Sequence, residues 1–236
     1  MPKESNYAVP LDVSSQRAIE KLLENDPSLE VFVVLGNELK EFVISLLTPS
    51  SSVDVVFPYP GHNVFPFYEL DVGDRTQPII TYTNTEKKAL LAEVGASFCS
   101  LILLFDEKGD SFLVHDGLVG SYTLGNDSVL DTFPYFKDFI KLLDSLKDGK
   151  RVFLTATNVN PQLRNKLVNE IRTLVSKDVE VLDLFSFSDE EIPLLNKKNG
   201  GTPVVSDNAL SGLFFVPKFL SRAGKNQIVL LGDKLD

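Results

Sequence analysis

Cys99 and His115 are the residues whose types and spacing point most directly to chemistry. Cys99 is the only cysteine in the chain and His115 is one of two histidines. A thiol with a pKa of about 8.5 is a weak nucleophile at neutral pH. A nearby imidazolium favours the reactive thiolate, and the same ring can then deliver a proton to a departing amine. Two apolar runs flank Asp106-Glu107-Lys108-Gly109-Asp110, and Gly109 suits a three-residue hairpin loop made of a type I turn and a left-handed residue. With Glu107, Lys108 and Gly109 as the loop, Asp106 lies opposite Asp110, Leu101 opposite His115, and Cys99 opposite Gly117. Cys99 and His115 then share a face as diagonal neighbours, about 7 to 8 Å apart between backbones. A two-residue loop would shift the register by one and put them on opposite faces. A lone cysteine at a strand start also serves as a small buried hydrophobe, and a strand histidine as a structural residue, so spacing alone leaves both readings open.

The elements that must position this hairpin follow from periodicity and punctuation. Ser14-Ser15 caps a helix through about Asn25, Leu29–Leu35 reads as a buried strand, and Glu38–Leu47 reads as a helix stopped by Pro49. Strands are expected at Val53–Phe57 and Pro78–Thr83, a helix over Thr85–Glu93, and a third hairpin strand at Val119–Leu124. A helix follows Asp131 or Thr132 with Phe136, Phe139, Ile140, Leu142 and Leu143 on its apolar side. Arg151–Ala156 reads as a strand, Pro161–Ser176 as an amphipathic helix and Val179–Phe185 as a strand. Ser188–Asn196 reads as a short helix, and Leu213–Val216 and Gln227–Leu231 as closing strands. The sum is a single α/β (α+β) domain over residues 1–236, with a mixed sheet flanked by helices, a central hairpin and a polar extension at 1–12.

The chain has 236 residues, 43% hydrophobic and 24% charged, with ample material for a core. A formal charge of −10 argues against nonspecific attraction to nucleic acid or anionic membranes. No stretch approaches the roughly 18 to 20 continuous apolar residues of a membrane span. A single cysteine excludes an internal disulfide framework and fits a reducing, cytoplasmic setting. Met1–Tyr7 lacks the basic-then-apolar pattern of a secretory signal peptide, so a chain made in the cytosol is expected, and if it were an effector it would reach a host cytosol by machinery that reads other signals. No phosphate-binding loop, dinucleotide fingerprint or histidine pair at ligand spacing occurs, so neither cofactor nor metal is expected. The aromatic stretch Phe57–Tyr68, with three prolines, reads as a loop that lines a cleft or packs as a lid on the core.

The segment Gly95-Ala96-Ser97-Phe98-Cys99, followed by an apolar strand, a turn and Val114-His115-Asp116-Gly117, resembles the catalytic hairpin of the protein-glutamine deamidase superfamily. That superfamily includes the chemoreceptor glutamine deamidases and the catalytic domain of the cytotoxic necrotizing factor toxins. The resemblance covers about 25 residues and implies a thiol hydrolase acting on a protein substrate, with Cys99 as nucleophile and His115 as base. Phe98 stands where the toxins commonly have glycine, and Glu93 where several relatives have threonine. A nearby hydroxyl, Thr81, Thr83 or Ser97, or a backbone carbonyl is the expected third member. Deamidation and transglutamination share the acyl-enzyme step and are not separated by this pattern.

A second resemblance, faint, links Pro78–Thr85 and Val179–Leu184 to proteins of the enhanced-serine-sensitivity family. It implies a noncatalytic adaptor that binds another protein, with Cys99 and His115 as structural residues.

Overall fold

The computed structural model describes residues 19–20, 23–24, 26, 28–35, 39–49, 53–56, 79–94, 100–116, 136–156, 161–183 and 210–232. Among them, ten strands divide into two five-stranded mixed sheets rather than one. In the first, β1 (Leu29–Leu35), β10 (Asn226–Gly232), β9 (Leu210–Val216), β4 (Ala89–Val94) and β2 (Asp54–Val56) lie in that order. In the second, the order is β3 (Ile79–Thr83), β6 (Ser111–Asp116), β5 (Ser100–Phe105), β7 (Arg151–Ala156) and β8 (Glu180–Asp183). β1 with β10, β2 with β4, and β7 with β8 are parallel, and the remaining pairs are antiparallel.

Side-chain alternation sorts the apolar residues into three layers of contact. Leu91, Leu213, Phe215, Ile228 and Leu230 of the first sheet meet Leu101, Leu103, Phe105, Leu113 and Phe153 of the second, forming the core between the sheets. The outer face of the first sheet, with Leu90, Ala92, Phe214 and Val229, is covered by Leu39 and Val43 of α1 (Leu39–Leu46). The outer face of the second, with Ile102, Leu104, Val114, Val152 and Leu154, is covered by α2 (Phe136–Ser145) and α3 (Pro161–Leu174). β5 and β7 are buried on both faces, which is why Leu-Ile-Leu-Leu-Phe and Val-Phe-Leu run without polar alternation. No described helix is long and apolar enough to cross a membrane.

The segment expected to be a helix over Thr85–Glu93 is instead a tight turn followed by β4. Ala, Leu and Glu favour helix by intrinsic propensity. Here Ala89 to Glu93 are all buried, with Leu90 and Ala92 facing α1 and Leu91 facing the other sheet, an arrangement that only a strand inside a layered fold allows. The turn is held by Asn84, whose Oδ1 accepts from the N–H groups of Glu86 and Lys87. Thr83 Oγ1 donates to the Lys87 carbonyl and accepts from Ala89 N–H. This corner carries the chain from the second sheet into the first. Residues 19–20 and 23–24 are helical, within the helix expected before Asn25. The 1–12 extension, the Phe57–Tyr68 loop, the Val119–Leu124 strand and the Ser188–Asn196 helix lie outside the described residues.

The β5–β6 hairpin has the three-residue loop expected from Gly109. Asp106 N–H donates to the Asp110 carbonyl, Gly109 N–H donates to the Asp106 carbonyl, and Gly109 adopts φ +99°. The resulting register pairs Ser100 with Asp116, Leu101 with His115, and Phe105 with Ser111. Asp106 organises the tip: its Oδ1 accepts from the N–H groups of Lys108, Gly109 and Asp110, and its Oδ2 accepts from Lys147 N–H beyond α2. Its carbonyl accepts from Asn226 Nδ2 at 2.9 Å, joining the tip to the first sheet. Because the carboxylate of Asp106 is buried and receives four N–H groups, Asp106→Ala is expected to destabilise the protein by about 3 kcal/mol or more. Urea unfolding measures this, and a loss below about 1 kcal/mol would contradict the assigned role.

Candidate functional site

At the end of the interlayer core opposite the hairpin tip, the two sheets bring a histidine and a carboxylate together. His115 pairs with Leu101 on one side and Ile79 on the other. It shares the inner face with Leu101 and Leu113, both members of the interlayer core. Glu93, next inward-facing after Leu91 on β4, reaches it from the other sheet: His115 Nδ1 and Glu93 Oε2 are 3.4 Å apart. Glu93 is 0% exposed and His115 7% exposed. Taking a carboxylate out of water is costly unless a cation or donor compensates, and the imidazole is one group placed to do so.

Two local features allow this approach. The Asn84 turn starts β4 beside β3, so β4 runs past the inner face that carries His115. Opposite the end of β4, Gly212 leaves room for the backbone: a Cβ at that position would lie 2.3 Å from the Glu93 carbonyl oxygen. Any side chain there would force the backbone at Glu93 or at Gly212 to shift.

The geometry is that of a carboxylate and an imidazole held at ion-pair distance. At 3.4 Å from Nδ1, the carboxylate is within ion-pair distance of the ring whenever the imidazole carries its second proton. The pair can accept a proton on the ring and hold the resulting cation beside the carboxylate.

Thr81 shares the inner face and pairs with Leu113, which makes it a diagonal neighbour of His115 on the adjacent strand. Thr83 lies one step further along, with its hydroxyl engaged in the Asn84 turn. Cys99 and Ser97 lie outside the described residues. The register on which the Cys99 expectation rests is present from Ser100 to Phe105. Glu93 was not among the residues expected to join the site. The signal for it is a single acid inside the apolar run Ala-Leu-Leu-Ala-Glu-Val, which a helix reading assigns to a solvated face. Among the described residues no group of three or more His, Cys, Asp or Glu side chains could hold a metal ion.

A double-mutant cycle of Glu93→Gln and His115→Gln, read by urea unfolding, is expected to give a coupling energy on the order of 1 to 3 kcal/mol. Additivity within about 0.3 kcal/mol would show that the two side chains do not interact. Comparison of the chain with models of known families and with curated protein sequences finds no match to either.

Proposed function

We propose that this chain is a cysteine-dependent protein-glutamine deamidase in which Cys99 is the nucleophile, His115 the acid and base, and Glu93 the residue that positions His115. The observation that carries the reading is the buried contact between Glu93 and His115, on the face where the hairpin register is expected to bring Cys99. An imidazole backed by a carboxylate is the arrangement that activates a neighbouring thiol.

The reaction follows from these roles. His115 Nε2 takes the thiol proton, and Cys99 Sγ attacks the carboxamide carbon of a glutamine, moving the carbonyl electron pair onto oxygen. Collapse of this tetrahedral species expels the nitrogen as ammonia, with the proton supplied by His115, and leaves a thioester. His115 then deprotonates water, which attacks the thioester and releases glutamate and the thiol. No cofactor enters the sequence, and a reducing cytosol keeps the thiol available.

A noncatalytic, protein-binding reading is favoured by one observation. Ile80 and Tyr82, on the outer face of β3, are 39% and 45% exposed, and such side chains on an edge strand suit contact with another protein.

Thiol reactivity decides between them. Cys99 of the native protein is expected to be alkylated by iodoacetamide at about pH 6 to 7, with the reaction at that pH lost in His115→Ala and slowed in Glu93→Gln. Alkylation only after denaturation, or pH profiles that coincide in wild type and His115→Ala, would replace the hydrolase with the binding module.

A further inference from the structure

Among the described residues the two sheets end on β1 and β2 in the first and on β3 and β8 in the second. Natural edge strands are commonly guarded against pairing with another chain by charged side chains, proline or bulges. Three of these edges carry acidic residues: Glu30 on β1, Asp54 on β2, and Glu180 and Asp183 on β8. In a chain of formal charge −10 such residues repel a second copy. β3, with the sequence Ile-Ile-Thr-Tyr-Thr, has no charged residue and no proline, and its register with β6 runs unbroken from Ile79 to Thr83.

The ladder determines which backbone groups of β3 face outward. Asp106 N–H donates to the Asp110 carbonyl at the hairpin tip, and bonded and non-bonded pairs alternate from there along antiparallel strands. Phe112 and Val114 therefore bond to β5, whereas Ser111, Leu113 and His115 bond to β3. On β3 this leaves the N–H and carbonyl groups of Ile80 and Tyr82 pointing away from β6, with no described strand beyond them. The side chains of the same two residues are exposed on the outer face. There the Tyr82 ring lies 6.3 Å from that of Phe112, with Lys87 Nζ 4.3 Å above it.

We propose that β3 pairs antiparallel with β3 of a second copy of this chain, about a two-fold axis at Thr81. The pairing that uses the whole strand sets Ile80 against Tyr82 of the second copy, and Tyr82 against its Ile80, each pair exchanging both backbone hydrogen bonds. Both pairs place an aliphatic side chain beside an aromatic one on the outer face, a favourable cross-strand combination. On the inner face the two Thr81 residues then lie directly opposite each other, where cross-strand threonines hydrogen-bond. Thr81 is 6% exposed, and its Oγ1 has no hydrogen-bond partner among the described residues. A buried hydroxyl left unmatched is unfavourable and rare, and the second copy supplies its partner. The protein-binding reading names no partner; this inference names one, and it stands whether or not the chain is a thiol hydrolase.

Two short paired strands bury less surface than most stable dimers, so association is expected to be reversible: sedimentation velocity of the full chain from about 5 to 500 μM should show monomer converting to dimer. The double variant Ile80→Lys, Tyr82→Lys sets like charges opposite each other in both pairs and is expected to weaken association at least about tenfold. The double variant Ile80→Lys, Tyr82→Glu sets opposite charges there and is expected to associate within about threefold of wild type. In the wild type, amide exchange at Ile80 and Tyr82 is expected to slow as concentration rises, while Thr81, already bonded to β6, changes less. A wild-type chain that stays monomeric at about 500 μM would overturn the proposal and leave the edge to an extended segment of another protein. Equal association of the two variants, whether both keep the dimer or both lose it, would overturn the pairing as well.

Discussion

Four backbone N–H groups converge on the buried carboxylate of Asp106, and the placement of the candidate site depends on that convergence. Three come from the hairpin loop itself and tighten it around Gly109, so only the three-residue loop satisfies them. The fourth comes from Lys147, and the Asp106 carbonyl receives Asn226 from the opposite sheet. Asn226 Oδ1 in turn accepts from Lys218 N–H, beside the point where a Cβ on Gly109 would lie 2.9 Å from the Lys218 nitrogen. The tip is thereby fixed in register and in its distance from the first sheet. Because strand faces alternate, a slip of one residue here would turn His115 out of the interlayer and bring Val114 in.

The interlayer core carries polar charge at both ends. Near the hairpin tip, Arg151 Nη2 lies 2.6 Å from Asp26 Oδ2, with the guanidinium 5.8 Å from the Phe105 ring centroid. At the other end stands the pair of Glu93 and His115. The first end has the character of a structural clasp: Asp26 also accepts from Ser28 N–H and Oγ, and Arg151 reaches toward Glu180 at 3.5 Å. The second is built from a titratable base and a fully buried acid, close to a hydroxyl that no described residue engages. A hydrophobic pair would seal that end at lower desolvation cost.

Much of this was legible in the residue order, for identifiable reasons. Gly109 after Asp-Glu-Lys marks a left-handed position, and from it the register of β5 and β6 follows to Ser100 and Asp116. The β-branched and aromatic run Leu29–Leu35 and the segment Arg151–Ala156 are strands with the bounds that their apolar continuity sets. Two things were not legible. Ala89–Val94 carries helix-favouring residues and becomes a strand only because layers cover both its faces. The division into two sheets depends on the corner at Asn84, and turn chemistry alone does not say whether the next strand pairs with its predecessor or crosses. Glu93 was hidden by the same ambiguity, since its meeting with His115 depends on β4 lying in the opposite sheet.

The proposed hydrolase requires the thiol of Cys99 to lie within reach of the His115 ring, which Glu93 adjoins at 3.4 Å. The most direct test is treatment of the native protein with 1,3-dibromoacetone, followed by peptide mapping. The reagent first alkylates a thiol and then bridges it to a nucleophile within the reach of its three-carbon chain. The predicted product is a single cross-linked peptide pair joining Cys99 to His115, formed in wild type and absent in His115→Ala. Modification of Cys99 without a bridge to His115, at equal rates in both proteins, would contradict the proposed pairing.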